Sequence, residues 1–136
     1  VQRISLSTDD RWAFTADYTK ARLAVIDTST NAVSTSIPLP GIGFGTTPTP
    51  DGKWLLVTLP ALRMVGLVNL STMRIERTLD VPRAPQEILV RPDGTVAYVS
   101  CDVSKQIAAI DLKAWRIEKL IDVGPVADGL AWAHSD

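Results

Sequence analysis

Short apolar runs alternate with polar turn residues along this chain, and the alternation recurs at a fixed interval. Asp9, Asp51 and Asp93 stand 42 residues apart, as do Asp27, Asn69 and Asp111, and Val33, Ile75 and Ile117. A period of this size marks a repeat architecture. In the third copy the apolar runs predict strands near Ile88–Arg91, Val96–Cys101, Lys105–Asp111 and Trp115–Val123. Between them lie Pro92-Asp93-Gly94, a break at Asp102–Ser104 and a turn at Leu112–Ala114. The second copy predicts strands at Trp54–Thr58, Arg63–Asn69 and Arg74–Val81, and the first at Trp12–Ala16, Ala21–Asp27 and Ala32–Leu39. Asp-Gly between two apolar runs is a strong hairpin signal, because Gly takes positive φ freely and Asp tolerates it. Asp10 replaces that Gly in the first copy, so its turn is expected to be less ideal.

The middle strands, such as Trp54-Leu55-Leu56-Val57, are apolar on both faces, which is the pattern of strands covered on both sides. Ala24, Gly66 and Ala108 are small at one shared position, as expected if one sheet approaches the next closely there. The fourth strand alternates. Read at strict period two, Ile75, Leu79 and Val81 share one face, and Arg74, Glu76, Thr78 and Asp80 share the other. Arg116, Glu118 and Asp122 repeat the charged face, which discourages edge-to-edge pairing. Four-stranded sheets of this length, repeated radially, describe an all-β fold: three antiparallel blades of a β-propeller. The blades fall at about residues 1–42, 43–84 and 85–126, within one domain. Residues 127–136 begin a fourth, and Ser135-Asp136 fall where the next Asp turn is due. Three blades, with Val1 starting inside a repeat, are expected to be a piece of a larger ring or a half-ring that closes by self-association, for example two chains making six blades.

Composition narrows the function classes. A net charge of −1, with 14 Lys and Arg spread along 136 residues, provides no broad basic field for nucleic acid. The single cysteine, Cys101, excludes an internal disulfide, and no apolar run reaches the length of a membrane span. His134 is the only histidine, so His-based triads and multi-His metal sites are excluded within the chain. Cys101 lacks a nearby His or CxxC partner and reads as a buried structural thiol. The repeated Asp residues read as turn formers, since a feature present in every copy serves folding better than one active site. Gly41-Ile42-Gly43-Phe44-Gly45 precedes no helix and reads as a bent inter-blade loop. Trp12 and Trp54 hold equivalent positions and read as core, whereas Trp115, in a turn, reads as exposed.

The third copy, PDGTVAYVSCDVSKQIAAIDLKAWRIEKLIDVG, resembles the YVTN-type β-propeller repeat through its PDG turn, Tyr98-Val99-Ser100-Cys101 and Ala109-Ile110-Asp111. Ala24-Val25-Ile26-Asp27-Thr28-Ser29-Thr30-Asn31 in the first copy is closer still. The family Asn after the strand is replaced by Asp17, Leu59 and Cys101, so no role is carried over at that site. The resemblance implies that ligands meet the loops between strands two and three and the blade-to-blade connections. Mapped onto this chain, the ligand-binding candidates are Asp17, Lys20, Arg83, Gln86, Glu87, Asp102 and Asp128, with Gln86 and Asp128 at the entry to the innermost strand. No catalytic residue, metal ligand or cofactor is expected. The implied function is a non-catalytic binding or scaffold module for a protein or small ligand, in a periplasmic, secreted or cell-surface setting of a prokaryote. The alternative is part of a propeller enzyme or electron-transfer subunit, lactonase-like or haem- or quinone-dehydrogenase-like, with its active residues on other blades.

Overall fold

The structure, a computed structural model, describes residues 3–134, so Ser135-Asp136 lie outside the described residues. Blade 1 comprises β1 (Ile4–Leu6), β2 (Trp12–Ala16), β3 (Arg22–Asp27) and β4 (Ala32–Pro38). Blade 2 comprises β5 (Thr46–Pro48), β6 (Trp54–Leu59), β7 (Met64–Asn69) and β8 (Arg74–Asp80). Blade 3 comprises β9 (Pro85–Val90), β10 (Val96–Cys101), β11 (Gln106–Asp111) and β12 (Arg116–Asp122). Every sheet is antiparallel with its strands in chain order, so each blade is a simple meander. The inner strands of blades 1 and 2 are only three residues long, and β9 begins three residues before its predicted start.

The turns explain the 42-residue markers. Asp9, Asp51 and Asp93 each accept the amide of the residue two positions on, from Arg11, Lys53 and Thr95. The next residue adopts positive φ in all three copies: 58° at Asp10, 73° at Gly52 and 74° at Gly94. Asp10 thus makes the same turn as glycine, at the steric cost an L-residue carries in that region. Asp27, Asn69 and Asp111 do the same for the outer hairpins, accepting from the amides of Ser29, Ser71 and Lys113.

Two apolar seams hold the blades together. Phe14, Leu23 and Val25 of blade 1 pack on Leu55, Val57 and Leu59 of blade 2. Leu56, Val65 and Leu67 of blade 2 pack on Ala97, Val99 and Ile110 of blade 3. The alternation of β6 therefore serves two neighbours at once, as apolar residues on both faces require. Each fully buried Leu, Val or Phe contributes about 1.5–3 kcal/mol relative to exposure.

The outer strand departs from its predicted alternation. The pairing of β7 with β8 slips between Leu67 and Val68: Val68 opposes Ile75, whereas Leu67 opposes Arg77, leaving Glu76 as an extra residue. The same bulge recurs at Ser34 and Glu118. An inserted residue reverses the alternation beyond it. Ile75 therefore packs with the seam toward blade 1 and Leu79 with the seam toward blade 3, so they do not share a face. Ile75 also corrects the expectation for Gly66. A Cβ there would meet Ile75 Cδ1 at 2.9 Å and Val57 Cγ1 at 3.1 Å, both in the same blade. The small residue makes room for its own sheet's bulged strand.

Trp115 is the other correction. It is 6% exposed and belongs to the blade 2–blade 3 seam. Its Nε1 donates to the Thr78 carbonyl at 3.1 Å, and the Arg77 guanidinium lies 5.6 Å from the ring centroid. With φ of 53°, the turn residue swings its indole back under blade 2 instead of into solvent. Trp12 and Trp54 are half-buried and pack against the two seams, as core positions.

Candidate functional site

Because every blade is a meander, the loops between second and third strands share one end with the blade-to-blade connections. Backbone bonds join them there: Leu39 to Ala21 at 2.9 Å, Val81 to Arg63 at 2.9 Å, and Val123 to Lys105 at 3.1 Å, each amide donating to the carbonyl. The predicted ligand-binding residues all lie on this end, but in three different situations.

Asp17 closes its own loop. It accepts from the amide and hydroxyl of Thr19 at 3.0 and 2.9 Å and from Arg22 Nε at 3.0 Å. These bonds, the Thr19 amide first, hold its carboxyl down to about 2. Its folded value lies below the roughly 3.9 of an unfolded Asp. The stability it contributes is therefore full above that value and is lost as pH falls toward 2. In Asp17→Asn, thermal melts between about pH 4 and 2 are expected to lose less stability on acidification than wild type; an unchanged acid limb would contradict the turn role. Lys20 is exposed, and its carbonyl accepts the Arg22 amide at 2.8 Å.

Arg83 and Asp102 form a second group. The Arg83 amide donates to Ser104 Oγ at 2.8 Å, and the Asp102 amide donates to the Ala84 carbonyl at 3.1 Å. Both backbones tie the blade 2–blade 3 connection to the β10–β11 loop. The Arg83 side chain is exposed and the Asp102 side chain half-buried.

Gln86, Glu87 and Asp128 make the third group, at the ends of the inner strands. Thr58 Oγ1 accepts the Gly45 amide at 2.8 Å and donates to the Gln86 carbonyl at 2.7 Å. Ser100 Oγ accepts the Glu87 amide at 3.0 Å and donates to the Asp128 carbonyl at 2.6 Å. A buried hydroxyl thus clasps the inner strand of its own blade to the chain 28 residues on, twice at the same offset. Ala16 holds this position in blade 1 and has no hydroxyl. Gly45 is where the clasp brings chains closest. A Cβ there would collide with the Gln86 carbonyl oxygen and lie 3.4 Å from Glu87 Cα. The last glycine of Gly41–Gly45 therefore permits inter-blade contact.

One residue absent from the predicted set gathers this group. Arg3 reaches Glu87 Oε2 at 3.3 Å and Asp128 Oδ1 at 3.4 Å, and its guanidinium lies 5.6 Å from the Phe44 ring centroid. Arg3 stands 84 residues before Glu87, twice the period, so both occupy the same position of their repeats. That periodicity was the available signal. The result is a mixed-charge cluster bridging blade 1, blade 3 and the chain after it, half open to solvent.

The repeated carboxylates are engaged in turns. Bonds from the hydroxyls of Ser7 and Thr49, with the Arg11 and Lys53 amides, hold Asp9 and Asp51 below the usual carboxylate range. The Arg91 guanidinium, then Thr95, does so for Asp93. Burial pushes the Cys101 thiol up to about 11, so it is no thiolate at neutral pH. Among the described residues, no group of three or more His, Cys, Asp or Glu is placed to hold a metal ion, and no helix is long and apolar enough to cross a membrane.

No family model matches the chain, and no curated protein matches it. Solved structures do. The chain is similar to Kuenenia stuttgartiensis hydrazine synthase, with TM-score 0.82 and 22% identity, over 88% of this chain and 37% of that one. It is similar to the dihydro-heme d1 dehydrogenase NirN, solved in complex with DHE, with TM-score 0.71 and 16% identity, over 90% of this chain and 28% of that one. The third is apo AztD from Citrobacter koseri, with TM-score 0.75 and 15% identity, over 90% and 35%. This chain thus spans between 28% and 37% of those chains' lengths. At such identities the likeness shows the fold alone: consecutive four-stranded blades of a β-propeller.

Proposed function

We propose that the chain is a non-catalytic binding or scaffold unit of YVTN-like type, working within a larger ring that further blades or a second copy complete. In this reading the domain runs as three blades, at about residues 1–42, 43–84 and 85–126, and a fourth repeat starts near Ala127. The Ser100–Asp128 clasp, matching Thr58–Gln86, supports that start. Ligand or protein partners would meet the end bearing Arg3, Glu87 and Asp128, with Asp17, Lys20, Arg83, Gln86 and Asp102 around it. The YVTN resemblance supports a prokaryotic periplasmic, secreted or cell-surface setting.

One observation carries the part of this reading that calls for a larger ring. Ile4 and Leu6 are 65% and 51% exposed on the free face of blade 1, whereas their counterparts in blade 3, Ile88 and Val90, are 2% and 8% exposed beneath blade 2. The free face of blade 1 is therefore built like a covered one, and another blade is what covers such faces here. Light scattering over a concentration range tests closure by a second copy. A discrete species near twice 14.7 kDa is expected, and the double substitution Ile4→Lys, Leu6→Lys is expected to return it to monomer. A cooperatively folding monomer at every concentration would rule out closure by a second copy, and the remaining cover would be further blades in the same chain.

The enzyme reading has one specific support: two of the similar structures are a hydrazine synthase and a dihydro-heme d1 dehydrogenase. In that reading the active residues stand on blades outside residues 1–136. Haem or quinone absorption in a purified longer protein containing this segment would replace the scaffold reading with it.

A further inference from the structure

The opposite end of the blades carries the β1–β2 and β3–β4 types of turn, and there two grooves open between successive blades. The first, of about 660 Å³, is lined by Thr8, Asp9, Trp12, Lys53, Trp54 and Ser71 among others. The second, of about 650 Å³, is lined by Pro50, Asp51, Trp54, Arg77, Asp93 and Lys113 among others. They are two copies of one feature. Thr8, Asp9, Trp12 and Ser71 of the first correspond, 42 residues on, to Pro50, Asp51, Trp54 and Lys113 of the second. Asp51 and Trp54 line both and form the ridge between them.

The lining has a definite chemistry. Trp12 and Trp54 are half-buried in the groove walls. The Arg11 guanidinium lies 4.8 Å from the Trp12 ring centroid and covers that ring, and among the described residues no cation stacks on Trp54. Asp9 and Asp51 use Oδ1 for their turns, and among the described residues no donor is bonded to either Oδ2. Lys53 and Lys113 are exposed, as is Ser71, and supply donors. The charges nearly cancel: Asp9 and Asp51 face Lys53 in the first groove, and Asp51 and Asp93 face Arg77 and Lys113 in the second. A polyanion gains nothing from this balance and meets two carboxylates. An added peptide strand needs a free sheet edge, but the turn amides and carbonyls here are already paired, as Gly52 to Thr49 and Gly94 to Arg91. The Trp54 ring on the shared ridge, flanked by carboxylate, hydroxyl and ammonium groups, matches a neutral sugar, whose C–H face lies on an aromatic ring while its hydroxyls donate and accept.

We propose that the two grooves bind neighbouring stretches of one neutral, linear oligosaccharide, at the end opposite the Arg3 cluster. Two equivalent sites on one rigid body bind a repeating ligand more tightly than either alone, by effective concentration. The proposal does not depend on the scaffold reading or on how the ring is completed.

The test follows the four indole N–H signals of the ¹⁵N-labelled full chain during titration with cellohexaose, maltohexaose and chitohexaose. Saturable shifts of Trp12 and Trp54 with at least one of them are expected, while Trp115, bonded inside to Thr78, stays still. The matching disaccharide is expected to bind about tenfold more weakly or worse. Lys53→Ala and Ser71→Ala, both at exposed positions, are expected to weaken binding severalfold at an unchanged melting temperature. Trp54→Ala should abolish it, with circular dichroism checking the fold. No shift with any of the three hexasaccharides at millimolar concentration overturns the proposal. So do equal shifts at all four indoles, or tighter binding of a heparin hexasaccharide or an extended peptide.

Discussion

Trp115→Ala is expected to cost about 3–5 kcal/mol of stability, the range for removing a large buried aromatic. The indole closes the blade 2–blade 3 seam, donates to Thr78 and receives Arg77, and all three contacts go together. The position carries a second effect of opposite sign, because its φ of 53° strains every residue with a Cβ. Trp115→Gly should therefore be no less stable than Trp115→Ala, reversing the usual order in which Gly costs about 0.5–1 kcal/mol more than Ala. Urea denaturation of both variants measures this. If both lie within about 1 kcal/mol of wild type, the indole is no part of the seam.

Gly45→Ala is the second large effect. The first obstacle to its Cβ is backbone and not the far end of a flexible side chain: it is the Gln86 carbonyl, which Thr58 Oγ1, itself 3.3 Å from that Cβ, already holds. Accommodating it means parting the inner strands of blades 2 and 3, and a loss of about 1–3 kcal/mol or more is expected. Gly129 stands two periods later in the same repeat position, and a Cβ there would meet nothing within 4 Å. Gly129→Ala should be neutral to within about 0.5 kcal/mol. The pair separates the contact with a following blade from any backbone requirement of the repeat position. Equal losses at both glycines would show that the requirement is the backbone's.

Much of the fold was legible because turn chemistry is local. Asp followed by Gly, or by Asp10, reports a turn through its own side chain and the next amide, and three copies at one spacing made the pattern unambiguous. The bulge was not legible. A period-two reading assumes that no residue is skipped, and Glu76 is charged and exposed whether or not it is the extra one. Trp115 was misjudged because a turn position says where the Cα lies, not where a long side chain ends. Of the candidate site, the shared loop end followed from the strand order. The meeting of Arg3 with Glu87 and Asp128 did not, because it depends on how far apart inner strands of non-adjacent blades stand. The hydroxyl clasp was also hidden: Thr58 and Ser100 read as ordinary strand residues until the next blade's carbonyl is placed against them.

The repeated bulge has a mechanical consequence. Ile75 at the start of β8 is anchored in the seam toward blade 1, and Leu79 near its end in the seam toward blade 3. One peripheral strand is thereby a tie-bar between two joints that the meander alone would leave separate. A load that slides one blade past its neighbour is passed along that strand into the next seam, so the blades resist shear as a laminate and not as stacked loose sheets.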